Sequence, residues 1–157
     1  MKERFTVEWG EGLRSALTAE ACNAFPEETG GLLMGHWQDG TALITHVIGP
    51  GPQAEHKADA FTPDRDWQYG EIDKLFAASR GSIEYLGEWH THPKGISYPS
   101  ETDIDLLTSI AHSPESRCPR PLMCILSSQA NKTWTERTFL YGPELSTLES
   151  PFICLDI

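Results

Sequence analysis

The stretch SIEYLGEWHTHPKGISYPSETD, residues 82–103, decides how this chain is read. Its first part, Ser82 to Trp89, sets isoleucine, tyrosine and tryptophan in rough alternation with other residues, which is the pattern of a β-strand. His90 and His92 stand at the end of that strand. Residues two apart on a strand point to the same face, so both imidazoles are able to converge on one ion, whereas a helical site would need histidines four apart. Pro93 ends the pairing, a loop from Lys94 to Pro99 carries the chain over, and Ser100 reads as the start of a helix. Asp103 falls in the first turn of that helix, facing back toward the strand end. Two imidazoles, a hydroxyl and a carboxylate thus lie within fourteen residues, and a catalytic zinc site needs such a set.

Each fragment also has a plainer reading. Ser100-x-x-Asp103 is a capping-box-like pattern, with Ser100 satisfying a free amide and Asp103 favoured by the helix dipole. With six histidines in 157 residues, a His-x-His pair is expected by chance roughly 0.2 times. Requiring Pro93, Ser100 and Asp103 at their offsets lowers the expectation to the order of one in ten thousand, so the combination carries the signal.

On these residues the chain resembles the JAMM/MPN family of zinc metallopeptidases, also called the JAB domain, and in particular its small bacterial-type single-domain members. That family is marked by His-x-His-Pro, six residues, then Ser-x-x-Asp, and by an upstream glutamate in a segment like Glu-Thr-x-Gly. Glu28-Thr29-Gly30-Gly31 supplies the second motif. The resemblance spans essentially the whole chain, 1–157, as one domain.

A catalytic zinc takes three protein ligands and keeps a fourth position for water, and His90, His92 and Asp103 supply three. The ion lowers the pKa of its water, and a nearby carboxylate then takes the proton during attack on a carbonyl. The resemblance assigns Glu28 that role and Ser100 the donation to the oxyanion. It further implies cleavage after the C-terminal glycine of a ubiquitin-like protein, as deconjugation or precursor maturation, with bacterial antiviral-defence conjugation systems among the settings. Two other readings stand beside it: a non-catalytic MPN scaffold that binds protein partners, and a metallopeptidase acting on small amino-acid conjugates or sulfur-carrier proteins. Scaffold members usually lack the ligands, and this chain retains Glu28, His90, His92, Ser100 and Asp103 together.

Glu88 departs from the family pattern, which commonly has a large apolar residue two positions before the first histidine. By alternation it faces the same way as His90 and His92. It could orient a ligand imidazole, replace Glu28 as the base, or be a solvated strand glutamate.

Composition bounds the rest. A length of 157 residues with 39% hydrophobic residues and five tryptophans suits one domain with a real core. Twelve basic against 23 acidic residues, a net charge of −11, argue against a nucleic-acid partner. The N-terminal MKERFTVEWG is no basic and apolar leader, and no run is long and apolar enough to span a membrane, so a soluble, cytoplasmic protein is expected. Cys22, Cys118, Cys124 and Cys154 lack a C-x-x-C pair and read as free thiols of a reducing compartment. A second metal site from Cys118, Cys124 and His112 matches no standard zinc spacing. His36, His46 and His56 have no constellation around them.

The remaining pattern predicts an α/β (α+β) order, for which the resemblance implies a curved, mostly antiparallel sheet flanked by helices. Phe5 to Trp9 reads as a strand and Gly12 to Phe25 as a helix. Gly30 to Trp37 and Thr41 to Ile48 flank Asp39-Gly40, a strong hairpin signal. Residues 49–61 read as a surface connection, with a place beside the substrate groove as the alternative. Thr62-Pro63-Asp64 opens a helix to about Ser79, with the proline at its first position. Strands at Pro121 to Ser127 and Thr133 to Tyr141 follow the Ser100–His112 helix, and a short one at Phe152 to Leu155 closes the chain.

Overall fold

The computed structural model describes residues 4–128 and 133–149. Phe152 to Leu155, with Cys154, lies outside them. In chain order the elements are β1 (Thr6–Trp9), α1 (Leu13–Ala24), β2 (Gly30–Gln38), β3 (Thr41–Ile48), a two-residue hairpin β4 (Glu55–His56) and β5 (Phe61–Thr62), α2 (Arg65–Ala78), β6 (Glu84–His92), α3 (Glu101–His112), β7 (Leu122–Ser128), β8 (Trp134–Leu140) and β9 (Ser146–Thr147). A 3₁₀ turn, Pro114–Ser116, follows α3.

Seven strands form one sheet in the order β1-β3-β2-β6-β7-β8-β9. Only β1–β3 and β6–β7 run parallel, and the other four neighbouring pairs are antiparallel. The sheet is therefore mostly antiparallel, and it curls until Glu149 bridges to Thr6 and its carbonyl accepts the Val7 amide at 3.0 Å. The β2–β3 turn is set by Asp39 and Gly40 at φ of 50° and 80°, the left-handed pair that a two-residue hairpin of matching twist requires.

Both faces of the sheet are covered. Leu122, Cys124 and Leu126 of β7 pack in the α1-side core with Leu17, Ala21, Leu33 and Trp89. Met123 and Ile125 point the other way, into a cluster with Leu107 of α3. Burial on both faces explains why β7 reads as a continuous apolar run rather than an alternation. Leu32, Met34 and Ile48 meet Ile72 and Leu75 of α2 on the same side as α3.

Two expectations need correction. The α2 cap is Asp64, not Thr62, and Arg65 rather than Pro63 is the first helical residue. Thr62 is held in the β4–β5 hairpin opposite Glu55, while the Asp64 carboxylate accepts the amides of Trp67 and Gln53. Residues 49–61 are also more than a surface connection. The hairpin folds back so that the Glu28 amide donates to the Lys57 carbonyl and His56 Nδ1 donates to the Glu28 carbonyl, at 2.7 and 2.8 Å.

Candidate metal centre and its cleft

The site is assembled where three chain segments meet. β6 pairs with β2 so that His90 lies opposite Gly30, and with β7 so that His92 lies opposite Ser127. Beyond the β2 register, the Thr29 amide donates to Thr91 Oγ1, and the Thr91 amide returns to the Thr29 carbonyl. That exchange ties Glu28 to the end of the histidine strand across 62 residues of sequence.

α3 brings the carboxylate. Ser100 accepts the Asp103 amide at 3.2 Å and Asp103 Oδ2 accepts the Ser100 amide at 2.7 Å, a complete capping box. The capping reading of these residues is thus met, and Asp103 faces the imidazoles as well. His90 Nε2 and Asp103 Oδ1 are 3.0 Å apart, His92 Nε2 and Asp103 Oδ2 3.2 Å, and the two Nε2 atoms 3.1 Å. Side-chain exposures of 11%, 14% and 12% leave the triangle of donors nearly enclosed.

The donor chemistry fits a cation. His92 Nδ1 donates to the Ile96 carbonyl at 3.0 Å, which in the neutral ring leaves Nε2 with the lone pair, facing a carboxylate oxygen. Two acceptors that close need a proton or a metal between them. Ligands about 2.0–2.1 Å from a tetrahedral ion lie about 3.3 Å from one another, close to the spacing found. Among the described residues, His90, His92 and Asp103 form the one group of three able to hold a metal. Cys118 and Cys124 are buried and do not come together with His112 around a site.

The electrostatics follow from burial and the imidazoles. Burial alone would raise the Asp103 carboxyl, but hydrogen bonds from His90 and His92 hold it well below the usual carboxylate range. Burial lowers His92, and the hydrogen bonds to Asp103 and the Ile96 carbonyl outweigh it and raise the ring above its ordinary value. Glu28 is raised, chiefly by burial, with His90 and His92 opposing.

A cleft of about 580 Å³ opens over the triangle. Glu28, Ser100 and Thr102 line it, and the 49–61 segment contributes Asp59, Ala60 and Phe61. Glu88 also lines it, on the same side as the histidines, but it is not solvated: its side chain is 5% exposed. Arg65 Nη2 donates to its Oε1 at 2.7 Å and the Tyr85 hydroxyl to its Oε2 at 2.9 Å. Both oxygens are occupied by partners other than an imidazole. Burial raises Glu88, and Arg65 opposes that.

Sequence reasoning missed three contributors. His56 and the Ile96 carbonyl act through hydrogen bonds to Glu28 and His92, and nothing local marks either. Arg65 had one signal, namely that a strand glutamate beside two histidines calls for a countercharge.

The curled sheet with a His-His-Asp centre at the end of β6 is the framework of a metal-dependent hydrolase. The chain belongs to the prokaryotic JAB family: a family model described as prokaryotic homologs of the JAB domain matches residues 10–140. It is 42% identical over 118 residues to a probable metalloprotease, y4qB, of Sinorhizobium fredii, covering 74% of this chain and 72% of that one. It is 30% identical over 122 residues to a CD-NTase/cGAS isopeptidase of Enterobacter hormaechei, covering 78% and 67%. The solution structure of protein DSY2949 from Desulfitobacterium hafniense matches the fold with a TM-score of 0.72 at 20% identity, over 93% of this chain and 92% of that one. With such relatives, the chain is a metallopeptidase-type hydrolase.

Proposed function

We propose that this chain is a zinc-dependent isopeptidase or peptidase that cuts the amide after the C-terminal glycine of a ubiquitin-like protein, in deconjugation or precursor maturation. The observation that carries this reading is the convergence of His90, His92 and Asp103 in a cleft that also holds Glu28 and Ser100. His90, His92 and Asp103 would hold a zinc ion, which would supply Lewis acidity toward a water and the scissile carbonyl.

The protein's own groups do the rest. The Glu28 carboxylate takes the proton of the attacking water and passes it to the leaving amine, and its upward shift by burial moves it toward the range a base at neutral pH needs. The Ser100 oxygen accepts the Asp103 amide, so its O–H remains for donation to the developing oxyanion. Glu88, with both oxygens occupied, supports the cleft instead of replacing Glu28.

The isopeptidase name of several relatives supports a substrate in which one protein is joined to another. A cytoplasmic bacterial conjugation system, antiviral defence among its settings, is the context that goes with this reading. The net charge of −11 disfavours nucleic acid as a partner. The test is elemental analysis together with cleavage of ubiquitin-like fusions ending in Gly-Gly or Ala-Ala. One zinc per chain and selective cutting after Gly-Gly is expected, whereas full zinc with no cleavage of any Gly-Gly fusion refutes the proposal.

A further inference from the structure

A second cavity, of about 570 Å³, opens beside the catalytic cleft between α2 and α3. The two share Arg65, Glu88 and Leu106 as a common wall. Apart from those, Leu32, Tyr69, Ile72 and Ile110 give the second cavity its apolar surface, while Asp73, Glu115 and serines of α3 and the turn after it complete the lining. Tyr69 is 59% exposed there, a large ring left uncovered at the mouth of a preformed pocket.

Arg65 is the polar group at the junction. Its Nη1 donates to Gln68 Oε1 at 3.0 Å and its Nη2 to Glu88 Oε1 at 2.7 Å. A guanidinium has five N–H donors, so three remain beyond these bonds. Gln68 in turn donates to the Gly49 carbonyl, which fixes the start of α2 against the 49–61 segment. Glu88 is spent on Arg65 and Tyr85, and thereby holds the Arg65 side chain, 35% exposed, where it lines both cavities. A neutralised but donor-rich group so placed suits a backbone carbonyl better than a free anion.

We infer that Arg65, positioned by Glu88, is a substrate-binding residue: it donates to a backbone carbonyl of the segment on the acyl side of the scissile bond, as that segment passes from the metal cleft into the second cavity and seats an apolar side chain there. The inference rests on the peptidase reading above and assigns its specificity. The shared lining of the two cavities, Arg65, Glu88 and Leu106, argues for this occupant, because a chain leaving the metal cleft at that side meets the second cavity next, and the acyl-side tail is common to every conjugate while the amine side changes with the target. Asp73 and Glu115, which also line the cavity, disfavour an acidic side chain at that position.

The test uses the full chain loaded with zinc and fluorescein-labelled hexapeptides ending in Gly-Gly, with leucine, alanine or glutamate fourth from the end. Binding is read by polarisation and cleavage on the corresponding fusions. The leucine peptide should bind wild type at least fivefold tighter than the alanine or glutamate peptide. Arg65→Met should weaken leucine-peptide binding about tenfold and raise KM with kcat nearly unchanged, and Arg65→Lys should restore part of the loss. Glu88→Gln should shift KM in the same direction. Ser109→Trp fills the cavity from an exposed position on α3, independently of Arg65, and should abolish the leucine preference. Equal binding of all three peptides to wild type overturns the inference. So does an Arg65→Met chain that retains wild-type affinity, or one that loses kcat alone. If wild type binds the leucine peptide through Arg65 yet cuts no fusion, the peptidase reading fails and the binding site stands.

Discussion

Replacing Gly30 by alanine is the most direct probe of how the fold seats His90. The added methyl carbon would lie 2.7 Å from His90 Cβ, 2.6 Å from the Trp89 carbonyl oxygen and 2.9 Å from the Phe61 ring. Ordinary contact begins at 3.4 Å, so His90 Cβ or β2 must give way by roughly 0.7 Å. The Trp89 carbonyl is backbone, His90 Cβ is bonded directly to it, and the hairpin ring closes the third side, so no flexible side-chain end is there to absorb it. Overpacking of this kind costs about 1–3 kcal/mol of folding stability. A catalytic constellation tolerates displacements of about 0.5 Å, and a mis-set ligand lowers metal affinity about 10- to 100-fold. Urea denaturation with a chelator present measures the first quantity, and zinc competition against a chromophoric chelator measures the second. A destabilised Gly30→Ala protein that binds zinc as tightly as wild type would show that the close approach of β2 to β6 has no part in placing His90.

Glu28→Gln should keep its zinc and its fold while losing turnover by about 10²–10⁴, as removal of a general base does; retained hydrolysis with zinc bound would remove Glu28 from the mechanism. Ser100→Ala should show two separable costs, because its oxygen caps α3 and the residue lines the cleft: about 1 kcal/mol in denaturation and about a hundredfold in kcat. A stability loss with normal kcat would leave it only a cap. Burial pushes the Cys118 thiol up to about 12, and Cys124 is raised well above its ordinary value for the same reason. Their thiolate fractions at pH 8 are therefore very small, and mass spectrometry after iodoacetamide treatment should find exposed Cys22 modified and these two untouched. Chelation should abolish hydrolysis reversibly with the far-UV dichroism unchanged, since the capping box holds Asp103 without help from a metal; unfolding on chelation would contradict this.

The parts of the site governed by short-range periodicity were legible in the sequence. His90 and His92 share a face because strand side chains alternate, and Asp103 sits in the first turn because Ser100 caps it. The same locality explains the hairpin at Asp39-Gly40. What escaped depends on contacts remote in sequence. Arg65 meets Glu88 across 23 residues, and Thr29 meets Thr91 across 62, so no window of pattern contains either pair. The α2 start was misplaced for a related reason: Thr62-Pro63 is a respectable helix opening taken alone, and its pairing with Glu55 overrides that preference. Glu88 was legible as anomalous but not as buried, because alternation gives the face a residue occupies and not what is packed over it.

The bridge between Thr6 and Glu149 bears on behaviour in a crowded solution. A terminal strand such as β1 ordinarily presents a ladder of unpaired amides and carbonyls, a template on which another chain can stack and aggregate. Here β3 pairs with one side of β1, and the Val7 amide on the other finds Glu149. The curl of the sheet thus works against templated association at this edge, since the chain itself takes up one of the amides that an incoming strand would need.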